Sequence, residues 1–300
     1  MASIRCVDLL KHARDHHYAV GYFEAWSLES LLAIVRAAES VRSPVMTGFC
    51  GEYLGSPARR FKEDIGLYGE IAKRVAAAAA VPVATLLNES TDMEVAYRGV
   101  QAGFDMVMYV DEEMPADKLI EPTRKLVEFA HACGVAVEGE VGALGMLEQV
   151  DGARHPGRDT DPDLAARFVQ GTGVDALAVS VGNVHFLEGS KARLNFALLE
   201  DLQRKVAVPL VLHGGTGIDK DDFAPGIARG IAKVNVGSCL KRAVLSCERE
   251  YFSQHEVGKM NPNDVLGRGG VLDLMMRSQE ALIEEVLGFI RAFGSENKAP

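Results

Sequence analysis

The chain has 300 residues, 48% of them hydrophobic, and a formal net charge of −10 without any basic block. That length and apolar content suit one α/β barrel with a sizeable core, and the acidity excludes electrostatic attraction to nucleic acid or an anionic membrane surface. Five cysteines (Cys6, Cys50, Cys133, Cys239, Cys247) without C-x-x-C spacing exclude a disulfide framework or thiolate zinc site; charges from Arg5 to Arg14 and the lack of a long apolar span predict a cytoplasmic chain without signal peptide or membrane anchor.

Short apolar runs alternate with helical patterns along the whole chain. Strands are predicted at 19–23, 45–49, 81–87, 106–110, 136–140, 176–181, 209–212 and 233–236. Helices with apolar residues at three- and four-residue spacing are predicted at 27–40, 63–80, 93–102, 116–133, 162–172, 196–205 and 221–229. Prolines at strand starts (Pro44, Pro82, Pro209) stand where a missing N–H costs least. Eight such units predict a parallel sheet closed into a (β/α)8 TIM barrel. The open doubly wound sheet is the alternative, but no G-x-G-x-x-G follows the first strand.

After the last strand, 240–250 and 272–293 read as additional amphipathic helices joined by the turn-rich 258–270. The expectation is a single barrel domain over 1–300, with 258–300 as a C-terminal helical extension. Segment 142–161, with four glycines and one proline, predicts a mobile loop over the site. Helix 272–293 carries an apolar face from Leu272 to Ile290 that is too broad for a helix merely lying on a barrel, so a homo-oligomer is expected.

In such barrels the chemistry sits at the C-terminal ends of the strands. The polar residues there are Asn88 and Glu89 after strand three, Glu140 at strand five, His185 after strand six, His213 after strand seven and Asn235 in strand eight. One histidine alone reads as a hydrogen-bonded core residue, and the six in helices and loops keep that reading. Two histidines and two glutamates at four strand tips converge on one cavity mouth, which predicts a divalent metal held by His185, His213, Glu89 and Glu140. The glycine-rich turn Gly214-Gly215-Thr216-Gly217 after His213 offers free backbone N–H groups to an anionic oxygen.

These residues resemble the class II, metal-dependent fructose-bisphosphate and tagatose-bisphosphate aldolase family. The resemblance spans almost the whole chain. It rests on Tyr18-Ala19-Val20-Gly21, Ala102-Gly103-Phe104, Val137-Glu138-Gly139-Glu140-Val141-Gly142, Thr160-Asp161-Pro162 and, most specifically, three later segments: 174–185 ending in Gly182-Asn183-Val184-His185, Leu212-His213-Gly214-Gly215-Thr216-Gly217, and Lys233-Val234-Asn235-Val236. It implies retro-aldol cleavage of a ketose phosphate with a divalent metal, usually zinc, as Lewis acid. His185 and His213 fall on metal ligands, and Glu140 on a glutamate that can hold the metal in an alternative position. Glu148 falls on the loop glutamate that carries a proton, and Asn235 on an active-site asparagine. Gly214, Gly215, Thr216, Gly217 and Ser238 fall on phosphate-cradling segments, and Arg268 on an arginine that grips the distal phosphate. Family members form dimers and tetramers, so a homodimer or homotetramer is implied.

Departures gather in the same cavity. Where the family has His-Leu-Asp-His-Gly after strand three, this chain reads Leu86-Leu87-Asn88-Glu89-Ser90. A carboxamide at 88 cannot exchange protons near neutral pH. A carboxylate at 89 makes the ligand set harder and shifts preference from zinc toward Mn, Co or Mg. Glu24 replaces an asparagine after strand one, Phe186 a glycine after the strand-six histidine, and Glu188 stands where a lysine is expected near the phosphate, with Lys191 close behind. The expected function is a divergent aldolase-type carbon–carbon lyase acting on a sugar, sugar acid or sugar monophosphate. The alternatives are a metal-dependent sugar (phosphate) isomerase or epimerase, and a non-catalytic sugar-phosphate-binding barrel.

Overall fold

The computed structural model describes residues 4–111, 113–142, 145–147, 154–155, 157–185 and 192–299, with 145–147, 154–155 and 184–185 described as backbone only. In the first half, β1 (Val20–Glu24), β2 (Val45–Cys50), β3 (Val83–Ser90) and β4 (Met106–Tyr109) alternate with helices, and β5 (Ala136–Val141) follows. The helices there are α1 (Cys6–Asp15), α2 (Leu28–Ser40), α3 (Gly51–Gly55), α4 (Ile65–Ala78), α5 (Met93–Ala102) and α6 (Ala116–Ala132). Two short strands come next, β6 (Gly145–Leu147) and β7 (Arg154–His155), before α7 (Pro162–Thr172), β8 (Ala176–Val179), β9 (Val184–His185), α8 (Phe196–Lys205) and β10 (Leu210–Leu212). The chain continues through α9 (Phe223–Ile227), β11 (Ile231–Val236), α10 (Ser238–Gln254), α11 (Pro262–Val265) and α12 (Leu274–Ala292).

Eight of the strands close into a barrel in the order β1-β11-β10-β8-β5-β4-β3-β2. Every neighbouring pair is parallel. This is the (β/α)8 barrel expected from the alternation of apolar runs and helices.

Two-residue alternation along the strands sorts the side chains into two layers. Ala19, Phe23, Leu87, Val107, Val137, Leu177, Val234 and Val236 face outward and pack under the helices. The inward set is smaller: Val20, Met46, Ala84, Met106, Ala136, Ala176, Ala178, Val211 and Ala232 fill the barrel interior. Small inward residues leave space at the N-terminal end of the barrel, and α1 fills it with Cys6, Leu9, Leu10 and Ala13. Helix α1 thereby covers the N-terminal end of the barrel. Helix α1 had no counterpart among the predicted elements, because its charged residues mask a narrow apolar face.

Within segment 142–161 the described backbone of β6 pairs antiparallel with β7 and parallel with β9, placing Met146 opposite His185. The apolar face of α12 is used within the chain, against α2 and α10. Leu282, Val286, Phe289 and Ile290 are buried there, and Phe289 and Phe293 stack around Phe23. The breadth of that face is accounted for by these neighbours, so it is no argument for an oligomer. Among the described residues no helix is long and apolar enough to cross a membrane.

Candidate active site

The open end of the barrel holds a cavity of about 760 Å³, and seven of the sequence-predicted site residues line it: Asn88, Glu89, Glu140, Gly214, Thr216, Asn235 and Ser238. Alternation explains most of this. On β3, Ala84 and Leu86 point inward, so Asn88 does too; on β11, Lys233 and Asn235 share the inward face. Glu89 breaks the rule. As the residue after Asn88 it would point outward, but its φ of +49° and a register shift between Leu87 and Ser90 bend the strand tip. A non-glycine residue held there costs about 1–3 kcal/mol. The bend puts Asn88 and Glu89 into the same cavity.

His213 follows β10 directly and is 1% exposed. Its Nδ1 lies 2.9 Å from Glu89 Oε1, on the cavity side, and its Nε2 lies 3.0 Å from Glu138 Oε1, deeper in the barrel. Glu138 is fully buried, and its second oxygen pairs with the equally buried Lys233 ammonium. Burial by itself raises the Glu138 carboxyl, but the Lys233 charge and the His213 contact outweigh it and hold the group below the ordinary carboxylate range. Burial lowers the His213 imidazole, yet hydrogen bonds to Glu138 and Glu89 and the nearby Glu140 charge more than reverse this, and it is pushed up to about 10. The His213 backbone is anchored as well. The Asn183 amide donates to the His213 carbonyl at 3.0 Å while its Oδ1 accepts from Val181 N at 2.7 Å.

Asn235 Nδ2 donates to Asn88 Oδ1 at 3.2 Å and lies 3.0 Å from His213 Nε2. With Nε2–H committed to Glu138, that second contact sets two donors face to face, while Asn235 Oδ1 is buried without a partner. Turning both amides by 180° pairs Oδ1 with Nε2–H and keeps the Asn88–Asn235 bond, so that is the orientation the hydrogen-bond chemistry favours.

The chemistry of this cluster fits a divalent cation. An imidazole with a carboxylate behind one nitrogen and a second carboxylate facing the other is the arrangement that fixes a ligand tautomer and presents two donors to one ion. The 2.9 Å between Nδ1 and Glu89 Oε1 is a hydrogen-bond distance; two donors of one tetrahedral zinc stand about 3.3 Å apart. These two atoms, with the backbone of His185 nearby in β9, are donors that would hold the ion. Glu140 lines the same cavity. The backbone of His185 is in β9, and its ring falls outside the described residues, among which no group of three or more His, Cys, Asp or Glu is gathered closely enough to hold a metal.

The glycine turn and the start of α10 lie side by side, as neighbouring strands require. A Cβ on Gly215 would meet the Asn235 carbonyl oxygen at 2.8 Å, so only glycine permits this approach. Thr216 Oγ1 accepts from Cys239 N at 3.4 Å. Gly215 and Gly217 are buried behind the cavity wall. Arg268 is not brought to the cavity: it pairs with Asp264 one helical turn away and is exposed. Glu148, Phe186, Glu188 and Lys191 lie outside the described residues.

Sequence reasoning missed the supporting residues. Glu138 stands two positions before Glu140 on one strand and shares its face, and Lys233 is a lone charge inside an apolar strand; each was a signal for a buried pair. Glu24 and Lys241, whose side chains form an ion pair at the cavity wall, had no such signal because they are 217 residues apart.

A closed parallel barrel with its polar cluster at the C-terminal strand ends defines a TIM-barrel enzyme site. The class-II fructose-bisphosphate aldolase family matches residues 4–298, and the chain belongs to that family. It is 33% identical over 304 residues to the 6-phospho-5-dehydro-2-deoxy-D-gluconate aldolase of Bacillus licheniformis, covering 100% of this chain and 97% of that one. It is 32% identical over 302 residues to the fructose-bisphosphate aldolase of Geobacillus stearothermophilus, covering 100% and 99%. Its structure superposes on the crystal structure of the YdjI aldolase from Escherichia coli K12 with a TM-score of 0.81, at 30% identity and 98% coverage of each chain. The chain is thus an aldolase-type carbon–carbon lyase of a family that works with a divalent metal.

Proposed function

We propose that this enzyme cleaves a polyhydroxylated carbonyl compound by a metal-dependent retro-aldol reaction, with His213, Glu89 and His185 as ligands and Glu140 near enough to compete. The observation that carries the reading is the His213 imidazole fixed between Glu138 and Glu89 at the catalytic end of the barrel. When bound, the ion supplies Lewis-acid polarisation of the substrate carbonyl. Zinc is the family's usual metal; a glutamate in the ligand set adds hard oxygen character and widens the choice to Mn, Co or Mg.

The remaining work falls to side chains. Glu138 keeps Nε2 protonated and leaves Nδ1 as the ligating nitrogen. Asn235 holds Asn88, and the Asn88 amide hydrogen-bonds the substrate hydroxyl that becomes the aldehyde. A carboxamide takes no proton, so that proton leaves through water or Glu148, whose family position assigns it proton transfer at the carbon next to the carbonyl. Gly214, Thr216 and Ser238 bind substrate oxygens at the cavity wall. Arg268 reaches the substrate only if its surface pair with Asp264 opens. We further propose a cytoplasmic homodimer or homotetramer, with small carbohydrates as its other partners. Support for the assembly comes from exposed apolar residues on and after α10, namely Leu245, Phe252, Val257, Leu266, Val271 and Leu272.

The test is a panel of ketoses, ketonic sugar acids and their monophosphates, assayed with metal-loaded protein for aldehyde release and, in parallel, for isomer formation. Aldehyde release supports the lyase. Isomer formation without cleavage replaces it by the isomerase, and binding without turnover by the non-catalytic barrel.

A further inference from the structure

The cavity wall formed by the end of β1 and the start of α10 is occupied by the chain's own charges. Glu24, the last residue of β1, is 9% exposed, and its Oε1 accepts from Lys241 Nζ in the first turn of α10. Its Oε2 lies against Gly237, where an added Cβ would meet it at 2.8 Å. The Lys241 ammonium also stands over the Tyr53 ring, 4.8 Å from its centroid. The carboxylate therefore fills the space in front of the Gly237-Ser238 turn, and the lysine nearest that turn is already neutralised.

Further carboxylates line the described part of the cavity. Among its described lining residues Glu24, Glu52, Glu89, Asp111, Glu113 and Glu140 set six carboxylates against one cation, Lys241. A phosphate placed here meets Glu24 at contact distance inside a partly desolvated pocket, where like charges repel by several times more than they do in water. Hydroxyl groups meet the opposite situation: a carboxylate accepts an O–H, an ammonium donates to the oxygen beside it, and a paired Glu–Lys can thus hold two neighbouring hydroxyls.

We infer that Glu24 and Lys241 together determine specificity, selecting a substrate that presents an unphosphorylated, hydroxyl-bearing terminus to this wall. The inference rests on the aldolase reading for its reaction and on the wall itself for its substrate class. Burial raises the Glu24 carboxyl, and Lys241 opposes that shift.

Two measurements on the intact, metal-loaded enzyme test it. Calorimetry with inorganic phosphate compares wild type with Glu24→Gln and, in case that variant misfolds, with Glu24→Asn. Removing the carboxylate should strengthen phosphate binding by about tenfold or more, and a further Lys241→Met should abolish the gain. In the kinetic arm, free ketoses should be cleaved with kcat/KM about tenfold or more above that of their monophosphates. Lys241-dependent phosphate binding by wild type, no gain in either Glu24 variant, or preference for a ketose phosphate overturns the inference. If no ketose releases aldehyde, the aldolase reading fails, and the phosphate measurement still decides what Glu24 and Lys241 do.

Discussion

Glu138 lies 3.0 Å from His213 Nε2 and spends its other oxygen on Lys233, so one buried carboxylate both orients the candidate ligand and neutralises a buried ammonium. Losing it should show in two separate ways. Glu138→Ala leaves Lys233 charged and unpaired in the barrel interior and should cost about 3–5 kcal/mol in urea unfolding. Glu138→Gln keeps the shape but weakens the hold on the imidazole, and metal affinity should fall by about 10–100-fold in a chelator competition. Unchanged affinity in the Gln variant would remove Glu138 from the metal centre.

Metal removal should leave a pH signature. The folded His213 value, about 10, stands above the unfolded imidazole value of about 6.5. The sign follows: the clamp's stabilisation of metal-free protein is complete below about pH 6.5 and is lost as pH rises through about 10. Urea midpoints of metal-free protein should decline across that window, and the decline should flatten in His213→Gln. Since the ion replaces a proton on the ring, metal titration at pH 7–8 should release a proton, visible as a dependence of calorimetric heat on buffer ionisation.

Asn88→Asp should not improve the enzyme on its own substrate. The new carboxylate can accept from Asn235 once that amide turns its Nδ2 toward it, so the fold should survive with an unfolding temperature within a few degrees of wild type. It also adds negative charge beside Glu89, in a cavity already rich in carboxylates. The double change Asn88→Asp with Glu89→His restores the family residues yet leaves Glu24 against Gly237, so cleavage of fructose or tagatose bisphosphate should stay at background in a coupled aldehyde assay. Substantial bisphosphate cleavage by the double variant would show lost rather than altered function.

Assembly should depend on α10. Leu245 and Phe252 are seven residues apart on that helix and share a face, 63% and 46% exposed. Sedimentation at micromolar concentration should give a dimer or tetramer, and Leu245→Glu with Phe252→Glu should shift it toward monomer. Wild-type monomer at that concentration would exclude the assembly.

What the amino-acid sequence determined by itself is the barrel, the strand ends that carry chemistry, and seven of the residues that line the cavity. Hydrophobic period and turn glycines are local quantities, and two-residue alternation carries Asn88, Glu140 and Asn235 inward once their strands are placed. Three features were decided only in the folded chain. Glu89 enters the cavity because its backbone bends at a positive φ, against the alternation that would have turned it outward. Lys233 and Glu138, 95 residues apart, meet because β11 and β5 face each other across the barrel. Glu24 and Lys241 close one wall because the end of β1 lies beside the start of α10. The last two depend on pairing over long sequence separation, where residue type supplies the charge and only the closed sheet supplies the partner.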